Sequence, residues 1–286
     1  MMESDKIKAT ILVLNYQKAK RTVENIKSII SQETDFRFKI FVIENTAHKK
    51  EEGELLKREL GGFENVEIII NEKNIGYSKG NNVARGYEEG DYVFVVNPDI
   101  IFKEKDAMRK IITYMDANPD IAILGPQQVN DGGGIAMSVR AFPKFYLQVA
   151  RRTFLRNFLF FKEKVAYDEM RHLDYSKIQD VDWLQSSCFV VRRDFWEKVG
   201  GLNESYFLFM TDTQMCFDAW KMGYRVVYYP EVKVYADGKR VSEGGFLKFF
   251  KSWALRWHVL DALRYQRRNF WLENPRKRYY QNKKNK

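Results

Sequence analysis

Cysteine and histidine are scarce: the 286 residues include 2 Cys and 3 His. No spacing among them suits a zinc site. Cys188 and Cys216 both lie in apolar surroundings and read as buried, reduced thiols. Long apolar runs are also missing. No uncharged stretch approaches the roughly 20 residues that span a bilayer. The opening MMESDKIKATILVLNY lacks the apolar core of a signal peptide. A cytoplasmic chain, soluble or peripherally bound, is therefore expected. There is no GxxxxGK[ST] phosphate loop, and no GxGxxG follows the first apolar run. ATP-type and dinucleotide-binding readings start weak for that reason.

Apolar and aromatic side chains are plentiful, at 45% and 15% of residues. That is a globular composition, with aromatics to spare for a ligand or an interface. The length allows one large α/β domain, or one domain with an appendage. The formal net charge of +10 is confined to one end. From Arg240 onward there are 13 Lys/Arg against 3 Asp/Glu, whereas residues 1–239 carry 35 of each sign. A nucleic-acid-binding domain spreads basic charge over its recognition surface. A neutral body with a basic tail suits a catalytic body with an electrostatic attachment segment.

The first third alternates strand and helix patterns. Thr10–Leu14 (TILVL), Phe38–Ile43 (FKIFVI), Val66–Ile70 (VEIII) and Tyr92–Val96 (YVFVV) read as strands. Between them, Lys18–Ser31, Lys49–Leu60 and Ser78–Glu89 read as helices. The pattern predicts a mostly parallel sheet with right-handed crossovers, and ligands on such sheets bind beyond the carboxyl ends of the strands. Asn15-Tyr16, Glu44-Asn45 and Asn97-Pro98-Asp99 stand at those ends. Farther on, Asp131–Gly134 reads as a flexible loop and Phe145–Phe161 as an aromatic, basic stretch. Val181–Arg192 and Arg225–Tyr229 read as strands, and Asp212–Met222 as a helix. Phe246–Arg268 reads as an amphipathic helix with Phe246, Phe249, Phe250, Trp253, Trp257 and Leu260 on one face.

Three features carry candidate chemistry. Asp99, after a buried strand and Pro98, could hold a divalent cation bridging two phosphates; Asn-Pro-Asp is equally good turn chemistry. Asn74–Asn82 (NIGYSKGNN) could approach a phosphate or ribose, or be a loop capped by Ser78. Asp212, opening a helix after an aromatic run, could take a proton from a hydroxyl, or serve only the helix dipole.

In this order, ILVLNYQ, FVIENTA, NIGYSKGNN with YVFVVNPD, VDWLQSSCFVVRRDFWEKVGGLNESYFLFMTD and GYRVVYYPE resemble family-2 glycosyltransferases, specifically the rhamnosyltransferase-like branch. The resemblance runs from about Lys8 to Arg268. It implies an α/β GT-A fold, Rossmann-like with flanking helices, and a C-terminal amphipathic helical segment. It implies a catalytic domain over 1–239, nucleotide-binding to about 125 and acceptor-binding over 126–239, then a basic helix and tail over 240–286. It gives Asn97-Pro98-Asp99 the place of the metal-binding motif, with Mg2+ or Mn2+ on Asp99. Asn15, Tyr16, Glu44, Asn45, Lys79, Gly80, Asn81 and Asn97 match donor-binding positions. Asp212 matches the general base, and Trp183 and Gln185 lie where such enzymes border sugar and acceptor. The chain departs from the pattern at Asn97, at Thr211 and Gln214 in place of acids, and at Ala236 in place of a histidine, with Asp237 beside it.

The implied activity is inverting transfer from a nucleotide-diphosphate sugar, dTDP-L-rhamnose by branch, to a glycan or lipid-linked saccharide in cell-surface polysaccharide biosynthesis, O-antigen among them. The alternatives are another sugar from a UDP or GDP donor, and a non-catalytic nucleotide- or glycan-binding relative. Nucleic-acid binding through Arg264–Lys286 is disfavoured by the neutral body. For the C-terminal stripe the readings are packing on the body, a homodimer contact, or an anionic membrane at the inner face of the plasma membrane.

Overall fold

The computed structural model describes residues 6–130, 132–144, 147, 158–236, 253–270 and 272–284. Asp131, Asp237, Arg240, Phe246, Phe249, Phe250 and most of the Phe145–Phe161 stretch lie outside the described residues.

A central sheet organises the chain. Its strands are β1 (Ile7–Asn15), β2 (Arg37–Glu44), β3 (Val66–Ile70), β4 (Tyr92–Val96), β5 (Ile101–Phe102), β6 (Ile121–Asn130), β8 (Gln179–Asp180), β10 (Cys188–Arg192) and β11 (Arg225–Ala236). They lie in the order β3-β2-β1-β4-β10-β6-β11-β5, with β8 on β11. The pairs β3–β2, β2–β1, β1–β4 and β6–β11 are parallel; β10, β5 and β8 run the other way. A short antiparallel pair, β7 (Val139–Arg140) with β9 (Trp183–Leu184), stands apart. Strands from both sides of residue 125 share the one large sheet.

The apolar runs are continuous because both sheet faces are covered, and alternate residues serve alternate faces. Ile11, Val13, Ile40, Val42, Phe94 and Val96 point into one core. There they meet α1 (Ala19–Ile30), α2 (Lys50–Leu60) and α4 (Ala107–Asp116) through Ile26, Leu56 and Ile111. Leu12, Leu14, Phe41, Ile43, Val93 and Val95 point into the other. That core is closed by α6 (Arg193–Val199) and α7 (Thr211–Lys221) through Trp196, Cys216 and Trp220. Both cysteines are buried and free, and burial pushes the Cys188 thiol up to about 12.

Two segments depart from the sequence pattern. The helix expected over Ser78–Glu89 is only α3 (Tyr77–Asn82). Gly80, Asn81 and Asn82 are weak helix formers, the Asn82 side chain binds both N–H and C=O of Leu202, and Gly86 sits at φ +93°. The strand expected over Val181–Arg192 breaks between β9 and β10. There the backbone of Ser186 and Ser187 turns to meet Asn97, Tyr77 and Asp212.

Two further helices lie toward the carboxyl end, α8 (Trp253–Asn269) and α9 (Pro275–Lys284); a ten-residue helix earlier in the chain, α5 (Leu159–Asp168), precedes β8. Of α8, the buried residues are Ala254, Leu255, His258, Asp261, Ala262, Tyr265 and Asn269. Trp253 and Leu260 are exposed, so the helix is rotated from the stripe expected of it. Trp257 still stacks on Phe207, at 4.3 Å between ring centroids. The tail folds back too. Arg276 pairs with buried Asp182 at 3.1 Å, and Tyr279 sits edge-on to Trp220 at 5.2 Å. Packing on the body therefore holds for the described residues of the basic segment. No helix among the described residues is long and apolar enough to cross a membrane.

Candidate active site

The carboxyl ends of β1, β2 and β4 meet at one edge of the sheet, as parallel pairing requires. Asn15 ends β1 fully buried. Its amide donates to Glu44 and, at 3.2 Å, to Glu52. Its oxygen accepts from the Lys18 N–H and the Thr22 hydroxyl. Glu44 is 2% exposed, and its second oxygen accepts from the Thr46 N–H at 2.5 Å. Glu52 also accepts from the Ala19 N–H at 2.8 Å, satisfying an amide at the start of α1. Nothing in the sequence pattern marks Glu52 for that place.

Asn45 fastens the next loop. Its oxygen accepts from Asn71 and the Ile75 N–H, and its amide donates to Asn74 and the Gly76 carbonyl. Gly76 sits at φ +88°, where a Cβ would lie 2.6 Å from the Phe207 carbonyl. Only glycine accepts that combination cheaply. A Cβ on Gly80 would lie 2.6 Å from a Leu14 methyl, and Asn81 is turned inward onto the Tyr77 carbonyl. Of the matched donor-binding positions, Asn15, Glu44, Asn45, Gly80 and Asn81 are thus buried and engaged with the protein itself. Tyr16 (41% exposed) and Lys79 reach solvent, and Asn97 and Asp99 are half-buried at the edge. Lys79 lines a cleft of roughly 530 Å3 with Lys73, Asn74, Phe207, Trp257 and Arg264.

The break between β9 and β10 joins these parts. The Ser187 carbonyl accepts from the Asn97 N–H at 2.8 Å. The Ser186 carbonyl accepts from the Tyr77 hydroxyl at 3.0 Å, which also lies 3.3 Å from the Asn97 oxygen. The Ser186 N–H donates to Asp212 at 3.1 Å. Tyr77, Ser186 and Ser187 thus tie Asn97 to Asp212, and sequence reasoning did not single them out. Burial pushes the Tyr77 phenol well above its ordinary value, and the charges of Asp212 and Asp99 add to this, so the phenol stays a proton donor. Trp183 and Gln185 stand on the same segment. The indole N–H of Trp183 donates to the Ala141 carbonyl at 2.8 Å, and the Gln185 N–H to the Ser138 carbonyl at 2.9 Å.

Asp212 stands in the first turn of α7, half-buried. Desolvation raises its carboxyl above the usual range, opposed by hydrogen bonds from the Ser186 and Thr213 N–H groups. A carboxylate so placed is a stronger base than a free one. The residue two before it, Met210, is held at φ +66°, and Gln17 and Ala47, just past β1 and β2, also have positive φ. Such backbone costs energy in non-glycine residues and clusters at functional sites. Thr211 and Gln214, where the resemblance implies acids, are both buried. Gln214 accepts from the Tyr206 hydroxyl and the Asn269 amide.

Asp99 lies 3.6 Å from the Lys18 ammonium, and its backbone carbonyl accepts from Arg21. No cluster of three or more His, Cys, Asp or Glu side chains suits a metal among the described residues. One carboxylate beside an amide oxygen fits the hard, oxygen-seeking cation that takes most of its ligands from phosphates and water. It does not fit a cation held by the protein alone.

A hexosyltransferase of low-salt glycan biosynthesis from Haloferax volcanii is 26% identical over 73% of this chain and 61% of its own length. The N-acetylglucosaminyl-diphospho-decaprenol L-rhamnosyltransferase of Mycobacterium tuberculosis is 27% identical over 60% of this chain and 59% of its own. The chain thus spans about three fifths of these relatives. The Pyrobaculum calidifontis mannosyltransferase structure with GDP-mannose and Mn2+ superimposes with a TM-score of 0.57, at 16% identity, over 91% of this chain and 65% of its own. That likeness shows the shared GT-A fold. The sequence model described as glycosyl transferase family 2 matches residues 10–198, and the chain belongs to that family.

Proposed function

We propose that this glycosyltransferase transfers L-rhamnose from dTDP-L-rhamnose, with inversion, to a glycan or lipid-linked saccharide during cell-surface polysaccharide synthesis. The observation that carries the reading is the bridge from Asn97 through Tyr77 and Ser186 to Asp212. It ties the strand end that precedes Asp99 to the helix start that carries Asp212, which supports assigning the phosphate-side and proton-accepting roles to these two carboxylates. The rhamnosyl donor and a diphospholipid-linked acceptor are drawn from the Mycobacterium relative's activity.

In this reading the donor lies across the carboxyl ends of β1, β2 and β4. Tyr16 offers its ring to the base, and Lys79 and Lys18 offer charge to the diphosphate. The buried group of Asn15, Glu44, Asn45, Gly80 and Asn81 fixes the loops that present them. Asp99 would hold Mg2+ or Mn2+, which when bound would offset the negative charge of the departing nucleoside diphosphate. Trp183 and Gln185 border the acceptor. Asp212 takes the proton of the acceptor hydroxyl as its oxygen bonds to the anomeric carbon. The bond to the diphosphate oxygen breaks on the opposite face, and the nucleoside diphosphate leaves with that electron pair. Positioning and charge supply most of the acceleration.

The test is a panel of nucleotide sugars, scored for thermal stabilisation with Mn2+ or Mg2+ and then for transfer. Selective response to dTDP-L-rhamnose is expected. A selective response to a UDP- or GDP-sugar would overturn the donor assignment, and binding without transfer would favour a non-catalytic relative.

A further inference from the structure

Asp261 is the sole acidic residue of α8. It lies 54 residues from Phe207 in sequence and is 0% exposed. Its carboxylate accepts three consecutive backbone N–H groups, from Phe207 at 3.2 Å, Leu208 at 2.9 Å and Phe209 at 3.0 Å. Arg264 pairs with the same carboxylate at 3.0 Å and donates to the Ser205 carbonyl. Two site elements hang on the segment so held. The Phe207 carbonyl accepts the Tyr77 N–H at 2.6 Å, at the point where Gly76 leaves no room for a side chain. One residue past Phe209, Met210 takes its positive φ and Thr211 begins the helix that carries Asp212. The Phe207 ring stacks on Trp257 and the Phe209 ring lies 4.5 Å from His258. The family match ends at residue 198, so Asp261 and the 205–212 segment lie outside it, while Gly76 and Tyr77 fall within it.

We propose that Asp261 is a positioning residue for transfer: from the C-terminal helix it fixes the 207–209 backbone, and through it the donor loop at Gly76-Tyr77 and the base Asp212. A buried ionised carboxylate is stable only with donors on it, and here the donors are the amides of the catalytic segment. Because a carboxylate takes all three bonds in acceptor sense, no neutral isostere reproduces it. An amide at 261 would set an NH2 against backbone N–H groups.

The inference rests on the transferase reading, and its test separates the two. Asp261→Asn and Asp261→Ala are compared with wild type and with Leu255→Ala, which removes buried packing from the same helix. Hydrogen exchange is followed in 74–80, 205–212 and 253–269. In the same samples the ratio of sugar transfer to donor hydrolysis is measured, a ratio that does not change with the fraction of folded enzyme. Asp261→Asn should speed exchange at least tenfold in 205–212 and 74–80 with α8 still protected, and lower the ratio about tenfold. Leu255→Ala should loosen α8 and leave the ratio alone. If Asp261→Asn leaves exchange in 205–212 unchanged, or if both helix variants alter the ratio alike, Asp261 is only a packing residue. A wild type that turns over no nucleotide sugar refutes the transferase reading, and the exchange arm still decides Asp261. Should Asp261→Ala fail to fold, Asp261→Asn carries both measurements.

Discussion

At the scale of single residues, the two carboxylates of the site differ in surroundings. Asp99 is balanced by Lys18 at the sheet edge, whereas Asp212 is desolvated and its carboxyl raised. A base must be ionised, so transfer should fall as pH falls through the raised value. The acid limb of kcat should therefore lie above the ~4 of a free carboxylate, measured at saturating donor. A limb at or below 4 would argue against Asp212 as the base. Asp212→Asn should lower transfer by about 10²–10⁴-fold while calorimetric donor binding is retained. Near-normal turnover would sink the assignment. Asp99→Asn should weaken Mn2+-dependent binding of the nucleoside diphosphate and leave metal-free binding unchanged. These residues were visible in the sequence because they end strand patterns or open a helix. Ser186 and Ser187 were not, because their part is played by backbone groups that any residue possesses.

At the scale of elements, the Asn74–Asn82 loop, proposed to face the donor, is shaped by close approach. Gly76 lets the loop run against the Phe207 carbonyl at φ +88°. Gly76→Ala should cost about 1–3 kcal/mol of stability and weaken donor binding together, by thermal unfolding and nucleotide titration. A variant with wild-type Tm and affinity would show that the loop moves freely. The short α3 also belongs to this scale. Helical spacing in the sequence favours continuation to Glu89, but the Asn82 side chain is spent on Leu202 and Gly86 turns the chain. Local propensity yields to a contact made 120 residues away. The same competition breaks the strand between β9 and β10, where hydrogen bonds to Asn97, Tyr77 and Asp212 replace ladder bonds.

At the scale of the whole molecule, the basic tail is both packed and charged. Arg276, Tyr279 and Tyr280 fasten α9 to the body, while Lys277, Arg278, Lys283 and Lys284 remain exposed. The reading of an anionic membrane surface as partner belongs to that second group. Replacing those four by Glu should abolish co-sedimentation with anionic vesicles at low salt and leave Tm unchanged. Undiminished vesicle binding would remove the tail as the lipid contact. Truncation after residue 269 is a poorer test, because it also removes the contacts to Asp182 and Trp220.

The sequence by itself determined the alternation of strands and helices through β4, the two-sided burial of β1, β2 and β4, and the placing of Asn15, Glu44 and Asn97 at strand ends. Each follows from periodicity and from the rule that backbone groups in a covered sheet must pair. Only the tertiary structure decided which of these side chains look inward, which face of α8 is buried, and that Asp261, beside Trp257, meets the 207–209 segment from that helix. In the sequence Asp261 is one acid in a basic helix. The amides it holds lie in a segment whose own residues are apolar, and nothing local records where their hydrogen bonds go.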